Sequence, residues 1–286
     1  MTAPFGARLA AARAALGPLC VGIDPHPSLL AAWGLPDDAE GLRRFSLTVL
    51  EAVAGVVPAV KPQSAFFERH GAAGVAVLEE VVAAGRSAGT LVVVDAKRGD
   101  IGSTMGAYAD AYLRDGAPLA GDALTVSPYL GFGSLRPALD LAAATGRGLF
   151  VLALTSNPEG PSVQHARGLD GRAVALQVAE EAAALNTAEL AATGGSLGSV
   201  GLVVGATTGD AVAGLGLDLA AVRGPLLAPG IGAQGAGPAE LAAVFGDARA
   251  AVLASSSRGV LSAGPAVGDL RAAAERARDD AAAVLG

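Results

Sequence analysis

Cysteine is nearly absent: Cys20 is the single one in 286 residues. No intrachain disulfide can form, which fits a reducing compartment. Cys20 stands in the apolar run Leu19–Ile23 and reads as a buried, inert thiol. Charge is also scarce, at 16% of residues, and it leans acidic. Twenty Lys and Arg against 27 Asp and Glu give a net charge of −7, with a pI near 5.0. That balance argues against nucleic acid or an anionic membrane surface as the main partner. An anionic small molecule stays open, because a local cluster of cations suffices. The three histidines, His26, His70 and His165, are scattered, so they suggest no metal cluster and read as structural or exposed. No apolar run free of charges approaches the length of about 18 residues that a membrane span needs. The opening MTAPFGARLAAARAAL is broken by Gly and Arg and does not read as a signal peptide. The expectation is a cytoplasmic protein.

What is present is apolar. Hydrophobic residues make up 52% of the chain and the mean hydropathy is +0.48, so a large core can form and general disorder is excluded. Forty glycines follow no collagen period. Short apolar segments alternate with Ala-rich helical stretches. The strand candidates are Leu19–Asp24, Ala59–Gln63, Thr90–Lys97, Ala123–Pro128, Gly148–Ser156, Val200–Ala206, Leu226–Gly230 and Ala250–Ser255. Runs such as LVVV and LFVLAL are continuous, as in strands covered on both faces. Helices are expected at Asp38–Val53, Gly74–Ala84, Thr104–Arg114, Ser134–Ala144, Ala173–Leu185, Ala211–Val222, Pro238–Val244 and Asp269–Leu285. Asp, Ser, Thr or Pro at starts and Gly55, Gly85, Gly116 and Gly146 at stops agree with capping. Phe5–Leu16 reads as an amphipathic helix closing the bottom of a barrel. Eight such pairs indicate an α/β fold, either a (β/α)8 TIM barrel or a doubly wound sheet; the number eight favours the barrel, as a single domain over residues 1–286. Asn157–Arg172 and Asn186–Ser199 look like insertions, the second a weakly ordered connector.

In a barrel the chemistry sits at the carboxyl ends of the strands. Strand one ends in GIDP with Asp24, strand two in VKPQ with Lys61, and strand three in DAKRGDIGST. Strand seven runs into PGIGAQG and strand eight into SSSRG. A charge at the tip of an apolar strand is costly unless paired. Each alone can be a structural ion pair, but several tips in one barrel point to a site. Asp95 and Lys97 are two apart and share a strand face, with Asp100 following. Two acids closing on one buried lysine would keep it protonated. A fixed ammonium suits proton delivery to a developing carbanion better than Schiff-base chemistry, which needs a neutral amine. Glycines in PGIGAQG let backbone amides approach an anion, and Arg258 adds a forked cation, together a phosphate site.

DAKRGDIGST, with VGIDPHP, VKPQSAFFE, PGIGAQG and SSSRG, resembles the orotidine 5′-phosphate decarboxylase family across essentially the whole chain. The chain length, VKPQSAFFE and LTSNPEG are similar to its longer, type 2 subgroup. The resemblance implies a lyase of pyrimidine (UMP) biosynthesis, acting without cofactor or metal on orotidine 5′-phosphate. It implies that Lys97 protonates C6 and that Asp95 lies beside the substrate carboxylate. Asp24 and Lys61 would hold ribose hydroxyls, Ser156 the pyrimidine edge, and Gln234 and Arg258 the phosphate. It also implies a homodimer with shared active sites, in which Asp100, Ile101 and Thr104 reach across from the second subunit. Ser127 stands in SPYLGFG where the family often has Asn, and is left out of the site. Two other readings stand beside this one: a Mg2+-dependent lyase or aldolase of phosphosugars, which an extra acid at strand two would favour, where Gln63 and Ser64 follow Lys61 although Glu68 lies nearby, and a non-catalytic nucleotide-binding barrel.

Overall fold

The computed structural model describes residues 2–231 and 236–285. Eight parallel strands close on themselves in chain order: β1 (Leu19–Ile23), β2 (Ala59–Pro62), β3 (Leu91–Arg98), β4 (Ala123–Val126), β5 (Gly148–Leu154), β6 (Val200–Val204), β7 (Leu226–Pro229) and β8 (Val252–Ser256). The sequence leaves a choice between two α/β architectures; the pairing of β1 with β8 settles it as a (β/α)8 barrel.

Side-chain alternation explains both core and site. Along each strand every second residue points into the barrel. The inner face runs Ala59 then Lys61 on β2, Leu91, Val93 then Asp95 on β3, Ala123 then Thr125 on β4, and Leu253 then Ser255 on β8. The barrel interior is therefore apolar at the amino end of the strands and polar at the carboxyl end. The residues of opposite parity, such as Val21, Val60, Val92 and Val94, pack outward against the helices. Burial on this scale, at roughly 25 cal/mol per Å2 of apolar surface, is the main driving force for closure.

The helix Phe5–Leu16 lies across the bottom, as expected. Phe5 and Leu9 carry the contact, and both join the inner cluster with Cys20 and Phe150. The Phe5 ring meets Phe150 edge-on at 5.9 Å, and a Cβ on Gly148 would stand 2.1 Å from it, so only glycine fits there. Cys20 is fully buried, and burial pushes its thiol up to about 12, which leaves it inert.

Three expectations are corrected. Gly85 does not stop a helix: the helix runs Gly71–Ser87, and Gly85 serves close packing against Val92. The helix expected at Ala211–Val222 covers only Gly209–Leu215, because Gly216 turns left-handed (φ 71) and Asp218 caps a turn at Ala221. The connector expected at Asn186–Ser199 is helical up to Thr193. Asn186 looks like a breaker, but it is buried and its amide bonds both backbone groups of Val200 and the carbonyl of Val222. A helix-interior asparagine is tolerated there because its polar groups are satisfied.

Candidate active site

A cavity of about 890 Å3 opens at the carboxyl rim of the barrel. Asp24, Lys61, Asp95, Lys97 and Arg258 all line it, so the structure brings together five of the residues read from sequence. At its floor lies Asp95, which accepts four hydrogen bonds. Lys61 Nζ and Gln63 Nε2 each donate to Oδ2 at 2.9 Å. Lys97 Nζ donates to Oδ1 at 2.6 Å, and Thr125 Oγ1 donates to the same oxygen at 2.8 Å. The sequence suggested two acids around one buried lysine; the chain instead holds one buried acid between two lysines. Lys97 is not the buried partner, since its side chain is 43% exposed against 9% for Lys61.

The electrostatics follow. Burial raises the Asp95 carboxyl, but Lys61 and Lys97 outweigh it and hold the group at about 2. Burial lowers the Lys61 amine, while Asp95 and Asp24 more than offset this and keep it above its ordinary value. Asp95 and Lys61 are thus both ionised at neutral pH. Lys97 occupies a left-handed backbone position (φ 47), and the β3–β4 register shifts between Val94 and Arg98 around it. That bulge turns the lysine toward the open cavity.

Asp24 follows β1, and among the described residues its buried Oδ1 has no hydrogen-bond partner. A Cβ on Gly22 beneath it would stand 2.0 Å from the Ser257 hydroxyl and displace that side chain. Arg258 begins the short helix Arg258–Leu261 and makes no ion pair among the described residues. Gly230 after β7 is left-handed (φ 90), and Pro229, Gly230 and Ile231 line the cavity beside Arg258. Gln234 lies outside the described residues.

Other assignments fall elsewhere. Asp100 Oδ1 accepts from the Ile101 amide at 2.8 Å and forms no ion pair with Lys97 of its own chain. Ile101 is 61% exposed, and Thr104 is exposed on the helix Gly102–Leu113. Among the described residues these three do not line the chain's own cavity. After β5 it is Thr155 that faces the cavity, while Ser156 is exposed. Ser127 stays out of the cavity lining; its amide donates to Arg98 O at 2.9 Å. Glu68 is taken up by Arg98 and Ser64 and does not line the cavity. Of the histidines, His26 does line it, its ring packed on Phe66, whereas His70 stands 3.5 Å from Asp37 and His165 lies in the loop after β5.

Sequence reading missed Gln63, Thr125, Thr155 and His26. A signal for the central cluster was nevertheless present. The chain has only two lysines among its 20 basic residues, and both bond to Asp95. In a chain that uses arginine at every other basic position apart from histidine, a lysine marks a position that suits a compact ammonium.

A family model described as the orotidine 5′-phosphate decarboxylase / HUMPS family matches residues 17–273. An orotidine 5′-phosphate decarboxylase of Salinispora arenicola is 61% identical over 281 residues, 98% of each chain. One of Streptomyces coelicolor is 62% identical over 273 residues, covering 96% of this chain and 95% of the relative. A crystal structure from Streptomyces avermitilis superposes with a TM-score of 0.93 at 60% identity, covering 99% and 96% of the two chains. The OMP decarboxylase of Leishmania donovani gives 0.74 at 34% identity and 97% of each chain. Strand count, rim charges and these likenesses all lead to one assignment: the chain belongs to the orotidine 5′-phosphate decarboxylase / HUMPS family.

Proposed function

We propose that the site decarboxylates orotidine 5′-phosphate to UMP and CO2, a step of pyrimidine biosynthesis, with no cofactor in the chemistry. The observation that carries this reading is the Lys61–Asp95–Lys97 cluster on the cavity floor, with Arg258 on the same wall-lined space. The C6–carboxylate bond breaks heterolytically, CO2 leaves, and the electron pair stays on C6 in the ring plane. That pair is orthogonal to the π system, so a conjugated sink is of no use. A cation already in place is what stabilises it. Lys97 supplies that charge, and a proton then passes from its Nζ to C6; solvent restores the ammonium. Asp95 sits beside the substrate carboxylate and fixes both lysines. Asp24, whose Oδ1 has no partner among the described residues, and Lys61 take ribose hydroxyls. Arg258 grips the phosphate with Gln234, and Ser156 and Thr155 stand at the pyrimidine edge. Binding energy from the remote phosphate contributes to the rate when it is realised in the transition state.

The working enzyme is a homodimer in this reading, with Asp100, Ile101 and Thr104 completing the site of a second copy. Ile101, Tyr129 and Leu130 support it: they are 61%, 75% and 52% exposed beside β3 and β4 on the same rim. A lone chain would leave these large apolar side chains in water. Among the described residues no helix is long and apolar enough to cross a membrane, and the reading carries with it a cytoplasmic enzyme. The test is the loss of orotidylate absorbance on adding the protein, with a chelator present. Turnover that persists in the chelator supports the reading. Inactivity on orotidylate, or activity that vanishes with the chelator, overturns it.

A further inference from the structure

Thr125 lies on the inner face of β4, 1% exposed, directly beneath the bulge that carries Lys97. Its hydroxyl donates to Asp95 Oδ1 at 2.8 Å and accepts from the Lys97 backbone amide at 3.0 Å. The two bonds are complementary, because a hydroxyl has one proton to give and lone pairs to receive with. Where the register between β3 and β4 shifts, between Val94 and Arg98, the Lys97 amide donates to the threonine side chain. The threonine hydroxyl thus bonds to the backbone where the register shifts. Regular pairing resumes at Arg98 with Val126.

The arrangement has a specific consequence. Lys97 adopts a left-handed backbone angle that residues with a Cβ disfavour. Such a conformation persists only where its surroundings hold it. Lys97 is held at both ends by groups that Thr125 touches: its amide directly, and its Nζ through Asp95 Oδ1 at 2.6 Å. One hydroxyl thereby sets the carboxylate and the backbone of the lysine in a common frame. We infer that Thr125 is a positioning residue of the reaction, which acts through Asp95 and Lys97 to place the ammonium at C6. This inference rests on the decarboxylase reading for its kinetics but not for its geometry.

The test compares Thr125→Val, which keeps the shape and removes the hydroxyl, with Thr125→Ser, which restores it. Misplacing a reacting group by about 1 Å can cost about 10²-fold, so Thr125→Val should lower kcat on orotidine 5′-phosphate by about that factor. KM and the affinity for UMP should stay within about threefold, and Thr125→Ser should return kcat to within about threefold of the parent. Labelling with [13Cε]lysine gives a second readout that needs no turnover, because the chain has only Lys61 and Lys97 to report. In Thr125→Val the Lys97 signal should move while the Lys61 signal stays. An unmoved Lys97 signal, parent-like kcat in Thr125→Val, a matching loss of UMP affinity, or no rescue by serine would each overturn the inference. If the parent chain leaves orotidylate untouched, the decarboxylase reading fails, and the lysine spectrum still decides the role of Thr125.

Discussion

Asp95 holds the amine of Lys97 at 2.6 Å although Lys97 lies only two residues further on, because the backbone between them bulges to a left-handed angle at the lysine. The ammonium is thus preplaced and partly open to the cavity, and it is not sealed in the barrel. Removing it takes away both the cation and the proton donor. Lys97→Ala should lower kcat by at least about 10³-fold, while the fold and phosphate binding survive. A nucleotide with an anionic oxygen at C6 should bind the parent tightly, as a mimic of the carbanion charge, and should lose that advantage in the variant. Steady-state kinetics and competitive inhibition decide it; turnover within about tenfold of the parent would remove Lys97 from the chemistry.

The same carboxylate makes an acid-sensitive contribution to stability. Burial opposes its ionisation, but Lys61 and Lys97 hold it at about 2, below the ordinary 3.8. A depressed folded-state value means that this stabilisation is complete above about pH 4 and is lost as the pH falls toward about 2. The size corresponds to roughly 2 kcal/mol. Asp95→Asn should abolish that part of the pH dependence. It should also cost roughly 3–5 kcal/mol near neutral pH, because Lys61 loses its hydrogen-bonded carboxylate and keeps only the charge of Asp24 nearby. Urea unfolding of both proteins across the acid range measures the difference, and parallel curves would contradict the prediction.

Of the lysines and arginines that line the cavity, Arg258 makes no ion pair among the described residues, and it stands beside the left-handed Gly230. If it grips the phosphate, Arg258→Ala should weaken the use of orotidine 5′-phosphate by about 2–5 kcal/mol in kcat/KM. The nucleoside without phosphate should be a poor substrate for the parent and nearly indifferent to the substitution. Comparable damage to both substrates would assign Arg258 to support of the fold.

The sequence exposed the barrel because alternation and capping are local. Eight apolar runs, several with polar tips, Asp38 at a helix start and Gly146 at a helix stop are each legible without tertiary contacts. Misjudgements came where a tertiary contact overrode the local rule. Asn186 stays helical because it bonds β6, and Gly85 stays helical because Val92 packs on it. The central cluster was legible in part, since Asp24, Lys61, Asp95 and Lys97 are charges at strand tips. Which group is buried was not legible, because it depends on the bulge at Lys97 and on the inward parity of Lys61. Thr125 was hidden for a simpler reason. Inside an apolar strand, a threonine facing the core and one facing a helix look the same.

Asp100 offers the sharpest test, because the chain does not use it on its own Lys97. Its carboxylate accepts from the Ile101 amide and lies with Ile101 and Thr104 on an exposed stretch of the rim. If that stretch completes a second copy's site, each site mixes residues of two chains. Lys97→Ala and Asp100→Ala should each be inactive alone. After subunit exchange, a mixed dimer has one site with an intact Lys97 from one chain and an intact Asp100 from the other. Its second site lacks both groups, and residues that act as a unit are non-additive, so that site adds nothing visible. Random exchange makes half the dimers mixed and restores one of the two sites in each, so about a quarter of all sites should recover activity. Were both residues to serve the same chain's site, no pairing could restore one. The measurement is activity of the mixture after exchange has been verified by mass-tagged subunits. A mixture that stays inactive would rule out the shared site, and with it the need for a dimer in catalysis.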